Sequence, residues 1–130
     1  MSNGSKLIVG RVYMDVEVIS SKGVSKFRAL VDTGATYTVI PKRTAEELGI
    51  ASTGRRVRVV TARGEAMLEE SVAVIRLMGE EGGTNVVLIS DEVEQVLIGG
   101  VTTLETFGLR VDPTTGKLER AGVLLLALHQ

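Results

Sequence analysis

The stretch "RALVDTGATYTVIP", Arg28 to Pro41, decides how this chain is read. Its apolar run Ala29-Leu30-Val31 drives toward a core and then meets Asp32, an ionisable carboxylate followed at once by Thr33, Gly34 and Ala35. A charge at the end of a buried strand is costly unless it is hydrogen-bonded or functional. The tripeptide Asp-Thr-Gly alone does not decide the matter, because it arises by chance in about 2–3% of chains this long. Its flanks add weight. After the loop, Tyr37 to Ile40 is short and β-branched, and Pro41 opens a helix because its fixed φ suits a first turn.

Working outward, Val12, Met14, Val16 and Val18 alternate with Arg11, Tyr13, Asp15 and Glu17 inside the strand-like stretch Leu7 to Ile19. Ser20-Ser21-Lys22-Gly23 supplies turn chemistry, and Val24 to Val31 returns as the second strand of a hairpin. Arg43 to Leu48 is helix-prone, with Gly49 as its stop. Val57 to Val60 and Met67 to Leu77 flank Ala62-Arg63-Gly64-Glu65 as a second hairpin, in which Gly64 can take a positive φ. Asn85 to Ile89 reads as a buried strand, and Val96 to Gly100 repeats an apolar run ending in glycine. Thr102-Thr103-Leu104-Glu105 has the form of a capping box, Gly108 closes that helix and Leu109 resumes extended chain. Asp112 to Gly116 is a turn, and Val123 to Leu128 is apolar on both alternating faces. Short strands with two short helices argue for a mainly-β sandwich or barrel, in one domain spanning residues 1–130.

Composition removes several function classes. The formal net charge is -1, so no global field draws the chain to nucleic acid or membrane. Arg55, Arg56 and Arg58 form a basic cluster without interleaved aromatics and read as a solvated strand end. Without cysteine there is no disulfide, thiolate nucleophile or thiolate metal site. No stretch has the length of a membrane span or the form of a signal peptide, which makes the cytoplasm the expected location.

His129 is the only histidine and stands next to the last residue, which disfavours a Ser–His–Asp or Cys–His arrangement. Zinc would lack ligands, and no phosphate-binding glycine motif occurs, so neither metal nor cofactor is expected. Carboxylates remain. Of the four aspartates, Asp15 belongs to a polar strand face, Asp91 to an acidic loop and Asp112 to a turn before Pro113. Asp32 differs in its setting and is the candidate catalytic residue.

Val31-Asp32-Thr33-Gly34-Ala35 resembles the active-site loop of retropepsin-like aspartic proteases, and Leu97-Ile98-Gly99 resembles that family's apolar-apolar-glycine segment. A hairpin lies between them where the family carries its flap. The stretch Gly99 to Lys117 looks most like the prokaryotic branch. The resemblance covers roughly residues 7 to 110 and implies a single-lobed acid-protease-type β-barrel working as a homodimer on polypeptide, with a larger assembly possible. Two carboxylates then share one proton around a water, since like charges about 3 Å apart cannot both ionise. A chain with one such loop obtains the pair by two-fold symmetry.

On this resemblance Thr33 bonds across the axis to the partner loop, and Gly34 gives the backbone close access to carboxylate and substrate. Ala35, Arg63, Gly64 and Ile98 contact substrate, while Ile98 and Gly99 also pack beneath the loop. Retroviral members place Asp and Arg where this chain has Thr36 and Gly100, which implies a different dimer brace. The flap tip, Arg63-Gly64-Glu65, lacks the several glycines of retroviral flaps. A non-catalytic peptide-binding or assembly module on the same fold is the alternative, and a plain β-domain with Asp32 in a turn is the third reading.

Overall fold

In β1 (Val12–Ser20) the side chains Val12, Met14, Val16 and Val18 are buried while Tyr13 and Asp15 face solvent, as the alternation requires. The computed structural model of the protein describes residues 12–61, 63–77 and 82–121. The apolar segment Val123 to Leu128 and the beginning of the Leu7 to Ile19 stretch lie outside the described residues.

A tight turn at Ser21-Lys22 returns the chain as β2 (Gly23–Asp32), antiparallel to β1 with Asp15 opposite Arg28. Those two side chains form an exposed ion pair at 3.0 Å, which accounts for Asp15. The chain continues through β3 (Thr38–Pro41), α1 (Lys42–Leu48), β4 (Ser52–Thr61), β5 (Gly64–Leu77), β6 (Gly83–Ser90) and β7 (Leu97–Gly99). It then passes through a π-helical segment (Gly100–Glu105) to the small hairpin of β8 (Leu109–Val111) and β9 (Leu118–Arg120). Helix α1 stops at Gly49, whose φ of 71° gives the left-handed cap expected of it. Pro41 is the residue before the first helical one rather than its first turn, with an extended ψ of 142°.

The strands close in the order β1-β2-β7-β3-β6-β5, and β5 pairs back to β1. This is a six-stranded barrel. Its filling is aliphatic: Val16, Val18, Ile40, Ile75, Leu77, Val87 and Ile98 are almost or wholly without solvent contact. At about 25 cal/mol per Å2 of apolar surface removed from water, each such side chain contributes roughly 1.5–3 kcal/mol. Strand β4 lies outside the ring, paired only with the first half of β5, so the β4–β5 hairpin projects as an arm. A bulge between Ser52 and Arg56, with Gly54 at φ 90°, marks where β4 leaves regular pairing.

Two consecutive strands, β2 and β3, are not neighbours. Strand β7 inserts between them, parallel to β2 (Val31 opposite Ile98, Asp32 opposite Gly99) and antiparallel to β3. The connection Thr33 to Tyr37 therefore arches over the end of β7. This crossing positions the site.

Candidate active site

Strand parity puts Asp32 where it is. Ala29 and Val31 point into the barrel, so Asp32, one residue on, points out and is exposed. The expected burial cost is therefore not incurred within the chain. The carboxylate is instead oriented by its own loop, where the Gly34 N–H donates to Asp32 Oδ1 at 3.1 Å, and the Ala35 N–H closes the turn by donating to the Asp32 backbone carbonyl at 3.1 Å. Thr33 and Gly34 are exposed as well, leaving the loop crest uncovered.

Beneath the crest, packing is tight enough to dictate glycine twice. A Cβ on Gly99 would lie 2.4 Å from the Tyr37 carbonyl carbon and 2.8 Å from the Thr38 nitrogen. One on Gly100 would lie 2.6 Å from the Thr33 carbonyl oxygen. Gly100, where the resemblance led one to look for arginine, thus has no room for a side chain unless Thr33 moves. Within the chain, backbone bonds tie the two segments together: the Gly100 N–H donates to the Ala35 carbonyl at 2.8 Å and the Thr102 N–H to the Thr36 carbonyl at 2.9 Å. Gly34 is different, because an added Cβ there would make only ordinary contact, 3.6 Å from Asp32 Oδ1.

A buried threonine pair completes the support. Thr38 and Thr103 have no solvent exposure, and their hydroxyl oxygens are 2.6 Å apart. The Gly99 N–H donates to Thr38 Oγ1 at 2.9 Å, and the Thr38 N–H donates to Thr102 Oγ1 at 3.2 Å. Thr102 and Thr103 therefore sit inside the π-helical segment and serve the loop, in place of the capping box read from the sequence. The signal for Thr38 was present in its parity with Ile40, since an inward-facing threonine must find a hydrogen-bond partner.

Loop and hairpin enclose a groove of about 740 Å3. Asp32, Gly34, Ala35 and Tyr37 line it from the loop; Arg58, Val59, Arg63, Ala66 and Leu68 line it from the β4–β5 hairpin. Glu92, Val93 and Leu97 contribute from the β6–β7 connection and β7. Of the expected substrate contacts, Ala35 and Arg63 border this groove. Ile98 does not. It is 0% exposed and packs in the barrel, because its register opposite Val31 turns it inward. Gly64 sits at the hairpin tip with φ 115°, where its conformational freedom is used, and is not part of the lining. Arg58, read as part of a solvated strand end, is exposed yet borders the groove; the hairpin geometry that brings it there is not local to its sequence. Among the described residues, no cluster of three or more acidic or histidine side chains could hold a metal ion. None of their helices is long and apolar enough to cross a membrane.

The family model for aspartyl proteases matches residues 15–102, from β1 through the loop, the hairpin and β7 to Thr102. The chain belongs to the aspartyl protease family. Solved structures agree on the fold. A retropepsin-like aspartic protease from Rickettsia conorii superposes with a TM-score of 0.57 at 24% identity, over 79% of this chain and 85% of that chain. The simian foamy virus protease gives 0.50 at 20% identity, over 68% of this chain and 87% of that one. The EIAV protease, solved with an inhibitor, gives 0.53 at 18% identity, over 68% and 81%. No curated protein matches at a significant level. The aspartyl protease fold here is the retropepsin-like one, shared with a prokaryotic member, and family and fold together support peptidase chemistry.

Proposed function

We propose that this aspartyl protease is an endopeptidase whose active centre forms between two copies of the chain, each supplying Asp32. The observation that carries the reading is an exposed carboxylate on a rigidly backed Asp-Thr-Gly loop that opens onto a groove roofed by the β4–β5 hairpin. A single carboxylate cannot act as acid and base at once. Two of them about 3 Å apart hold one proton between them, and the shared titration belongs to the couple.

In this mechanism the ionised carboxylate takes a proton from a water held between the two. The water oxygen then attacks the peptide carbonyl carbon while the protonated carboxyl donates to the carbonyl oxygen, giving a neutral gem-diol. Transfer of a proton to the amide nitrogen and breakage of the C–N bond release amine and carboxylic acid. Thr33 holds the partner loop across the axis. Ala35 and Arg63 border the bound chain, and Gly64 shapes the tip above it. No metal or cofactor takes part.

The test is hydrolysis of an unfolded polypeptide by the purified chain from acid to neutral pH, with fragments identified by mass spectrometry. Asp32→Asn should reduce cleavage by about 100-fold or more, the scale of lost acid–base catalysis, while circular dichroism and sedimentation stay unchanged. A folded dimer that cuts nothing across that range would replace this reading with the peptide-binding one.

A further inference from the structure

The projecting part of the hairpin that roofs the groove carries Arg55, Arg56, Arg58 and Arg63, and two of them pair with its own glutamates. Arg55 meets Glu70 at 3.5 Å, Arg58 meets Glu65 at 3.8 Å, and Arg56 stands opposite Glu69 in the β4–β5 register. Arg63 has no such counterpart. Its backbone is fixed in the tip, where its N–H donates to Thr61 Oγ1 at 3.1 Å and the Thr61 hydroxyl donates to the Gly64 carbonyl at 2.9 Å. Yet no carboxylate among the described residues lies within ion-pair distance of its guanidinium.

Arg63 and Asp32 border the same groove. The carboxylates of that groove come from the Asp32 loop and, with Glu92, from the β6–β7 connection, whereas its guanidiniums, Arg58 and Arg63, come from the hairpin. A chain lying between them meets anions on one side and cations on the other. Val59, Ala66, Leu68 and Leu88 add apolar lining, and a lower local dielectric strengthens charge pairing beside it. A planar guanidinium matches a carboxylate through two parallel N–H donors.

We infer that Arg63 selects polypeptides carrying an acidic side chain turned toward the hairpin. The selection rests on the proteolytic reading only for where a peptide lies. It also gives the glycine-poor tip a means of gripping substrate, by side-chain charge. Successive side chains of an extended chain alternate in direction, so the selected acids fall at positions of one parity. The same groove disfavours acids at the other parity, where they would face Asp32 and Glu92.

The experiment uses the full chain with Asp32→Asn, so that bound peptide is not cut. Fluorescent extended peptides on an alanine, valine and leucine background carry Glu, Gln or Lys at each position in turn. At one or more positions of one parity, the Glu peptide should bind about five- to tenfold more tightly than its Gln counterpart, and added salt should erode the difference. Adding Arg63→Gln should remove the preference, and Arg63→Glu should turn it toward Lys. Arg56→Gln, which alters a charge on the same hairpin that does not border the groove, should leave it. A Glu-to-Gln ratio that Arg63→Gln does not change, or the absence of any peptide binding, overturns the proposal. Cleavage of the same peptides by the chain with Asp32 intact is scored separately. Cutting with no charge preference overturns this inference alone, while an Arg63-dependent preference without cutting overturns the hydrolytic reading alone.

Discussion

Thr38 has no access to solvent, and its hydroxyl oxygen serves both the Gly99 N–H and the Thr103 hydroxyl. Thr38→Val keeps the shape and removes both bonds, leaving two buried polar groups short of a partner. That should cost about 1–3 kcal/mol in urea denaturation, with Thr38→Ser costing clearly less because the hydroxyl remains. The glycines divide in the same way by environment. Gly100→Ala forces a Cβ to 2.6 Å from the Thr33 carbonyl oxygen, so the loop must shift and stability must fall, by about 1–3 kcal/mol for overpacking of this kind. Gly34→Ala meets nothing closer than 3.6 Å within the protomer, so stability should stay within about 0.5 kcal/mol. Hydrolysis should nevertheless fall, since the new methyl group stands in the groove. A Gly34→Ala chain that is as active as the parent would show that substrate does not pass there.

At the scale of elements, the hairpin is an arm and the barrel is its base. β4 has strand pairing on one side only, and Gly64 closes the tip at φ 115°, a conformation that side chains adopt with strain. Gly64→Ala should cost about 1 kcal/mol or more locally. Because the arm lies outside the closed ring, the loss should appear as faster amide exchange at the tip and leave the barrel's protection unchanged. The β8–β9 hairpin offers a pH test. The Thr114 N–H donates to Asp112 Oδ1 at 2.8 Å, and this bond above all holds the Asp112 carboxyl below its ordinary value. A depressed value means the ionised form supports the turn. That support is complete above the ordinary aspartate range and is lost as pH falls through the lowered one. Exchange at the Thr114 amide should therefore show more opening of the turn at strongly acid pH than the intrinsic exchange rate explains.

For the whole molecule, the crest at Asp32, Thr33 and Gly34 is exposed, and under the proposed function it is the surface that a second copy covers. If the active centre takes one Asp32 from each of two chains, activity should depend on concentration in step with dimer formation seen by sedimentation. Mixing the natural chain with an equal amount of Asp32→Asn should lower activity per natural chain to about half, because half of the natural chains then sit in mixed dimers. Activity per natural chain that ignores the variant would place the whole chemistry within one protomer.

Local rules determined much of this protein from sequence alone. Alternation in Val12 to Val18 gave the buried face of β1, the Ser20 to Gly23 cluster gave the first turn, Gly64 gave the tip of the second hairpin, and Gly49 gave the stop of α1. The Asp-Thr-Gly loop was legible because its residues are contiguous. What lay beyond reach depended on pairing between distant segments. Insertion of β7 between β2 and β3 decided that Ile98 faces the barrel and not the groove, and that Gly100 must be bare. The same crossing turned Thr102 and Thr103 from a helix cap into the support of a loop some 65 residues away. Periodicity reports which face a side chain takes, but long-range register decides what it meets there.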